Sequence, residues 1–243
     1  MSDRFFCPDA ATGDRFRLEG DEARHLSRVL RLGAGATVEV FDGRGHATLA
    51  EVLAVGKDAV ELRRVGAALP DRAPPISLTL ATAVPKGDRF DWLVEKATEL
   101  GVARLVPLRT ERSVVDPGRS KLERLRRAVV EASKQCGRNR LMEIGEPVEW
   151  TKFLRDEPSN SRLLAHPGGL RFAGWPAPGP ATPVVLAVGP EGGFSKGEVD
   201  SAVDAGWGVV GLGSTLLRVE TACLTGCARL LALAESNTER ADG

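Results

Sequence analysis

No tyrosine occurs in this chain of 243 residues, and methionine occurs twice. No apolar run reaches the roughly 18 residues of a membrane-spanning helix, so a membrane protein is not expected. The first residues, Met1-Ser2-Asp3-Arg4, lack the apolar core of a secretory signal. Cys7, Cys136, Cys223 and Cys227 are the four cysteines, and none of their spacings suits zinc, so no metal site is expected. Cys223 and Cys227 fall four apart in a helical pattern and read as two small buried side chains. Together these absences point to a reduced, cytoplasmic protein. Net charge is also lacking: 33 Lys and Arg face 33 Asp and Glu.

Charge is nonetheless unevenly spread. Between Lys86 and Arg140 there are 14 basic residues against 8 acidic ones, and from Leu141 onward 8 against 13. The run Lys121-Leu122-Glu123-Arg124-Leu125-Arg126-Arg127 has helical spacing. Alone it reads as a solvated helix face; with Arg109, Arg112, Lys134, Arg138 and Arg140 it could track phosphates.

Glycine supplies the main signal. Val184-Val185-Leu186-Ala187-Val188 runs into Gly189-Pro190-Glu191-Gly192-Gly193-Phe194. Val209-Val210-Gly211-Leu212-Gly213 runs into Ser214-Thr215-Leu216-Leu217-Arg218. Each is a strand-like run that ends in glycines and passes into a helical pattern. Glycine there permits close approach of main chain to a ligand, and open parallel sheets bind ligands at such carboxyl ends. A Walker loop is excluded because the only nearby lysine, Lys196, is followed by Gly197. Gly211-Leu212-Gly213-Ser214-Thr215-Leu216 lacks the third glycine of a dinucleotide fingerprint. A ligand held by main-chain groups and small apolar side chains fits better than a phosphate cradle.

The first 68 residues predict short strands at 15–18, 37–41, 47–53 and 59–62, a small β-barrel pattern. One helix is expected from Asp21, its N-cap, to Leu32, with Gly33 past its end. Leu69-Pro70-Asp71-Arg72-Ala73-Pro74-Pro75 reads as a stiff linker. Beyond it, strands alternate with helices as in a parallel sheet. Strands are expected at 76–83, 104–108, 162–165 and 184–188, and helices at 89–100 and 120–135. Ser195 and Glu198 predict a capping box for a helix ended by Gly206. Pro167–Pro183 reads as a loop over the pocket.

Further motifs accompany the glycine turns. They include Asp21-Glu22-Ala23-Arg24-His25-Leu26 with Arg28-Val29-Leu30-Arg31, Phe41-Asp42-Gly43, and Lys86-Gly87-Asp88-Arg89-Phe90-Asp91. Glu95-Lys96-Ala97-Thr98-Glu99-Leu100-Gly101-Val102, Glu111-Arg112-Ser113, Glu131-Ala132, Gln135-Cys136-Gly137-Arg138 and His166-Pro167 follow in order. With Arg218-Val219-Glu220-Thr221-Ala222, these resemble the ribosomal RNA small subunit methyltransferase E (RsmE) family of the trefoil-knotted SPOUT RNA methyltransferases. Thr215 departs from the arginine usual there. That departure keeps open the alternative of an RNA-binding ribosome-assembly factor without methyl transfer.

The resemblance implies an α/β knotted SPOUT methyltransferase domain with a parallel sheet over residues 75–243, preceded by a PUA-like β-barrel RNA-binding domain over 1–69. It implies S-adenosylmethionine as cofactor, N3 of a uridine in 16S ribosomal RNA of the small subunit as target, and a homodimer. The cofactor would lie against Leu164, His166, Val188, Gly189, Pro190, Glu191, Gly192, Leu212, Gly213, Leu216 and Leu217. Arg218 would stabilise charge on the uracil, and Glu191 would hold ribose hydroxyls, orient Arg218 or simply cap the helix turn. An ion pair from Arg218 to Glu220 or Glu191 is the competing structural role. Arg4, Arg24, His25, Arg28, Arg31, Lys86, Arg112 and Arg138 are the expected RNA contacts. Phe194 is the aromatic nearest the site and otherwise a staple for the capped helix.

Overall fold

The computed structural model describes residues 3–10, 13–159, 161–172, 178–179 and 181–241. The chain divides into two compact units, Met1–Ala73 with Val130–Leu141, and Pro74–Val129 with Met142–Gly243.

In the first unit, β1 (Arg4–Phe6), β2 (Arg15–Glu19), β3 (Thr37–Phe41), β4 (Ala47–Val55) and β5 (Ala59–Leu69) form one sheet in the order β1-β3-β4-β5-β2. Alternation decides which face is buried: Phe16 and Leu18 of β2 point inward while Arg15, Arg17 and Glu19 stay exposed. They join Phe5, Val38, Val40, Ala50, Val52, Val60 and Leu62 in the core. β1 and β2 are the two ends of this hydrogen-bonded path, so the expected barrel is realised as a five-stranded sheet. Three residues are too few to carry a period, which is why β1 was not anticipated.

The helix after β2 differs from expectation. α1 covers Gly20–Arg24 and continues as a π-wound turn, His25–Val29. Glu19, not Asp21, is its N-cap and makes no side-chain cap bond. Asp21 instead pairs with Arg24 one turn on. The chain turns straight from strand to helix at Gly20, φ 60°, so no residue is left over for a polar cap. Arg31, at φ 56°, stops the run before Gly33 does.

The second unit holds β6 (Ser77–Ala83), α2 (Arg89–Leu100), β7 (Arg104–Arg109), α3 (Arg119–Cys136, whose last turns belong to the first unit), β8 (Glu143–Ile144), β9 (Val148–Glu149), α4 (Trp150–Asp156), β10 (Ser161–Arg171), β11 (Pro183–Val188), α5 (Lys196–Asp204), β12 (Gly208–Gly211) and α6 (Val219–Ala241). The sheet runs β12-β10-β11-β6-β7-β8, with β9 also on β7, and its pairings are parallel. Val184–Val188 is buried throughout, as befits a strand in the interior of a parallel sheet.

The region after Ala165 corrects the sequence reading. β10 does not stop at Ala165 but resumes pairing at Leu170↔Val210 and Arg171↔Gly211 after a register shift. Gly169 makes this possible: a Cβ there would sit 2.7 Å from Val210 Cα and Gly211 N. The Pro-Gly-Gly composition that suggests a loop here serves a close backbone crossing instead. Residues 173–177 and 180 of the expected loop lie outside the described residues. β8, β9 and α4 were also not anticipated. Among the described residues, no helix is long and apolar enough to cross a membrane.

Candidate functional site

β11 and β12 both flank β10 in parallel, so their carboxyl ends open on the same side of the sheet. The two glycine turns leave these ends and wall a cavity of about 390 Å3. Val188, Gly189, Pro190, Glu191 and Gly192 form one wall; Leu212, Gly213, Thr215, Leu216 and Leu217 form the other; Ala165, His166 and Pro167 come from β10. Phe194, the aromatic expected nearest the site, also lines it, as do Arg112, Val219 and Ala222, which were not foreseen as wall residues. Leu164 belongs elsewhere: it is fully buried in the core cluster with Trp150, Val185 and Trp207. Strand alternation puts Ala165 at the strand end and turns Leu164 into the packed face.

The first turn is fixed by local hydrogen bonds. Gly193 takes φ 69°, and a Cβ on Gly189 would lie 3.0 Å from both the ring and the amide nitrogen of Phe194. Ser195 and Glu198 form the expected capping box: Ser195 Oγ accepts from Glu198 N–H at 3.3 Å, and Glu198 Oε2 accepts from Ser195 N–H at 2.8 Å. Glu198 Oε1 also accepts from Glu111 N–H at 2.8 Å, tying the Glu111–Ser113 turn to the glycine turn. Arg112 then donates to the Gly192 carbonyl at 2.7 Å. Phe194 packs 4.8 Å from Trp150, ring centre to ring centre, so one face serves the core and another the cavity.

His166 Nδ1 accepts from Gly168 N–H at 3.1 Å. A neutral His166 therefore carries its proton on Nε2, which makes that nitrogen a donor. Glu191 faces Arg89 at 3.7 Å, and Arg89 faces Glu220 at 3.9 Å. Arg89 is the functional candidate missed in the sequence; its place in Lys86-Gly87-Asp88-Arg89 gave no hint of a partner 102 residues on. Arg218 is exposed just before α6, and none of the described residues forms an ion pair with it. The competing ion pair to Glu220 or Glu191 is thus taken by Arg89.

The expected RNA contacts sort by exposure. Arg24, Arg28, Arg31 and Lys86 are exposed, and His25 packs edge-on against Phe5 at 6.1 Å. Arg4 is buried and its donors are used within the first unit. Nε meets Glu39 at 2.7 Å, Nη1 meets the Ser133 and Arg138 carbonyls at 2.6 and 2.9 Å, and Nη2 meets Asn139. Arg138 is buried too, and burial pushes its guanidinium below its ordinary range. Both are corrections: Arg4 is enclosed by carbonyls and a carboxylate, and Arg138 is removed by burial from the surface expected to meet RNA. In the basic helix, Lys121 and Arg124 pair with Asp91 and Arg126 with Glu146, while Arg119 and Arg127 stand exposed. Cys223 and Cys227 are buried, and the Cys223 thiol lies 3.3 Å from Thr82 Oγ1. No group of three or more His, Cys, Asp or Glu among the described residues could hold a metal ion.

This architecture has known counterparts. Residues 72–231 match the RNA methyltransferase domain family, and residues 18–63 match the RNA methyltransferase PUA domain. A solved ribosomal RNA small subunit methyltransferase E from Neisseria gonorrhoeae, bound to S-adenosyl methionine, is 30% identical with a TM-score of 0.88. The similarity covers 96% of this chain and 98% of that one. The chain belongs to the ribosomal RNA small subunit methyltransferase E (RsmE) family. Curated relatives of that description include one from Synechocystis, 33% identical over 88% of this chain and 72% of that protein. Another, from Bacillus subtilis, is 28% identical over 86% of each.

Proposed function

We propose that this protein transfers the methyl group of S-adenosylmethionine to N3 of a uridine in 16S ribosomal RNA of the small subunit. The observation that carries this reading is the cavity walled by main chain from both glycine turns. Its volume of about 390 Å3 lies in the range of small-molecule sites. Its lining suits a nucleoside joined to an amino acid better than a phosphate chain, since main chain, small apolar residues and Glu191 line it without a lysine and Arg112 is engaged by the Gly192 carbonyl. A Cβ on Gly213 would meet nothing within 4 Å, which leaves main chain bare toward a ligand. Val188, Gly189, Pro190, Gly192, Leu212, Gly213, Leu216, Leu217 and His166 would hold the cofactor.

S-adenosylmethionine supplies an electrophilic methyl group on sulfur and a leaving group that needs no acid. The protein's work is then to place the uracil in line and to stabilise its developing charge. Arg218 does the latter: an exposed guanidinium beside the second turn is available to the uracil oxygens. Glu191 holds ribose hydroxyls at the rim. His166, donating from Nε2, orients the ligand rather than removing the N3 proton. Arg24, His25, Arg28 and Arg31 in the first unit, and Lys86, Arg112, Arg119 and Arg127 in the second, are the RNA-facing groups. On this reading residues 1–69 serve RNA binding as a PUA-like domain and 75–243 serve catalysis.

The same reading makes the C-terminal segment a trefoil knot that brings the two turns together. The protein works in the cytoplasm as a homodimer. Leu216, 85% exposed on the cavity wall, and Leu170, 77% exposed, support a covered apolar surface, and light scattering at twice the chain mass would establish it. Incubation with small subunits and cofactor, followed by mass-spectrometric mapping, tests the activity: a new N3-methyluridine is expected, and none refutes it. Arg218→Ala should lower methyl transfer at least about 100-fold while cofactor affinity changes less than about threefold. Equal losses in both would make Arg218 architectural.

A further inference from the structure

One charged cluster touches the cavity from behind. The Arg89 guanidinium stands between two carboxylates, Nη2 3.7 Å from Glu191 Oε1 and Nη1 3.9 Å from Glu220 Oε2. Neither separation is a hydrogen bond; the guanidinium is anchored by Nε, which donates to the Lys86 carbonyl at 3.2 Å. Glu191 lines the cavity, whereas Glu220 does not. Glu220 is only 7% exposed, and its Oε2 is buried without a hydrogen-bond donor among the described residues. A carboxylate oxygen kept dry and undonated is costly. Its position opposite the guanidinium that faces Glu191 suggests what it is for.

We propose that Glu220 is a positioning residue for cofactor recognition. By sharing Arg89 it stops that guanidinium from cancelling Glu191, so this carboxylate keeps a negative charge on the cavity wall that favours a sulfonium ligand over an uncharged thioether. The inference rests on the proposed methyl-transfer reading and adds a residue that touches no ligand. One guanidinium shared by two carboxylates leaves a net negative charge, presented to the cavity through Glu191. Without the Glu220 charge, Arg89 has one partner and closes on it, and the cluster becomes neutral. S-adenosylmethionine and its product S-adenosylhomocysteine differ by one methyl group and one positive charge. A charge on this wall therefore favours the first over the second.

Calorimetric titration of the full chain with each of the two compounds tests this. Glu220→Gln keeps the side-chain shape; it should raise the dissociation constant for S-adenosylmethionine about fivefold and change that for S-adenosylhomocysteine less than about twofold. In a Glu191→Gln background the same substitution should add nothing, because the effect passes through Glu191. Arg89→Met is a second variant, and thermal unfolding of each variant checks that it folds, because Met leaves the buried Glu220 carboxylate without its cation. This substitution strips the cation from the cluster and should shift the preference the other way, toward S-adenosylmethionine. A purely structural role would weaken both ligands alike, and an unchanged ratio across these variants would overturn the inference while leaving the function intact. Wild-type protein that binds neither compound would overturn the function itself.

Discussion

Replacing Gly213 by alanine should move stability and cofactor affinity in opposite directions. The backbone at Gly213 is outside the left-handed region, and a Cβ there meets no atom within 4 Å. The folded state therefore accepts the methyl group, and the lost freedom of the unfolded chain adds about 0.4–1 kcal/mol of stability. Gly213 also lines the cavity, where the methyl group occupies space that a ligand needs to reach main chain. Losing one such main-chain contact costs about 1–3 kcal/mol, or about 5- to 150-fold in dissociation constant. Gly213→Val should extend the binding loss without unfolding the protein. Gly189→Ala is the contrasting case, since its Cβ would press on the Phe194 ring and amide at 3.0 Å and lower both quantities. Thermal unfolding and calorimetric titration on the same samples read the two effects. Full S-adenosylmethionine affinity in a stable Gly213→Val variant would refute the placement of the ligand against the second turn.

Glu198→Ala removes the capping box and the clasp on Glu111 together. Two charge-assisted bonds at a half-buried site are worth about 2 kcal/mol, so the melting temperature should fall about 4–8 °C; a fall below 1–2 °C would show that the clasp is idle. A second expectation concerns alkaline pH. Burial pushes the Cys223 thiol up to about 12 from an ordinary 9.0, and burial also raises Cys227. Above pH 9 the unfolded chain loses these protons while the folded chain keeps them, so stability falls as pH rises through that window. The slope is up to about 1.4 kcal/mol per pH unit for each thiol. Tyrosine is absent and cannot mask it. Denaturant unfolding across the window should show a shallower slope in Cys223→Ala, and an unchanged slope would remove that thiol from the account.

Features written in neighbouring residues were legible in the sequence. α2 begins and ends at the expected Arg89 and Leu100, because its apolar spacing is regular and Gly101, at φ 92°, ends it. Ser195 and Glu198 announced their capping box three residues apart, and both glycine turns announced the cavity. What failed depended on partners far along the chain. Arg4 looked like a free surface arginine, yet its guanidinium is enclosed by groups 129 to 135 residues away. Leu164 and Ala165 look equally suited to a wall, and only the strand's alternation against β11 and β12 separates them. Pro167-Gly168-Gly169 spells a loop locally, and its use in a backbone crossing depends on Val210 and Gly211. The role of Arg89 appears only when Glu191 and Glu220 are brought to it.

Calorimetric titration of the purified chain with S-adenosylmethionine, with ATP and NAD as controls, decides what the cavity holds. Saturable binding of S-adenosylmethionine, competition by S-adenosylhomocysteine, and no heat from either control are expected. A folded sample that takes up ATP or NAD, or that ignores S-adenosylmethionine, would contradict the proposed function.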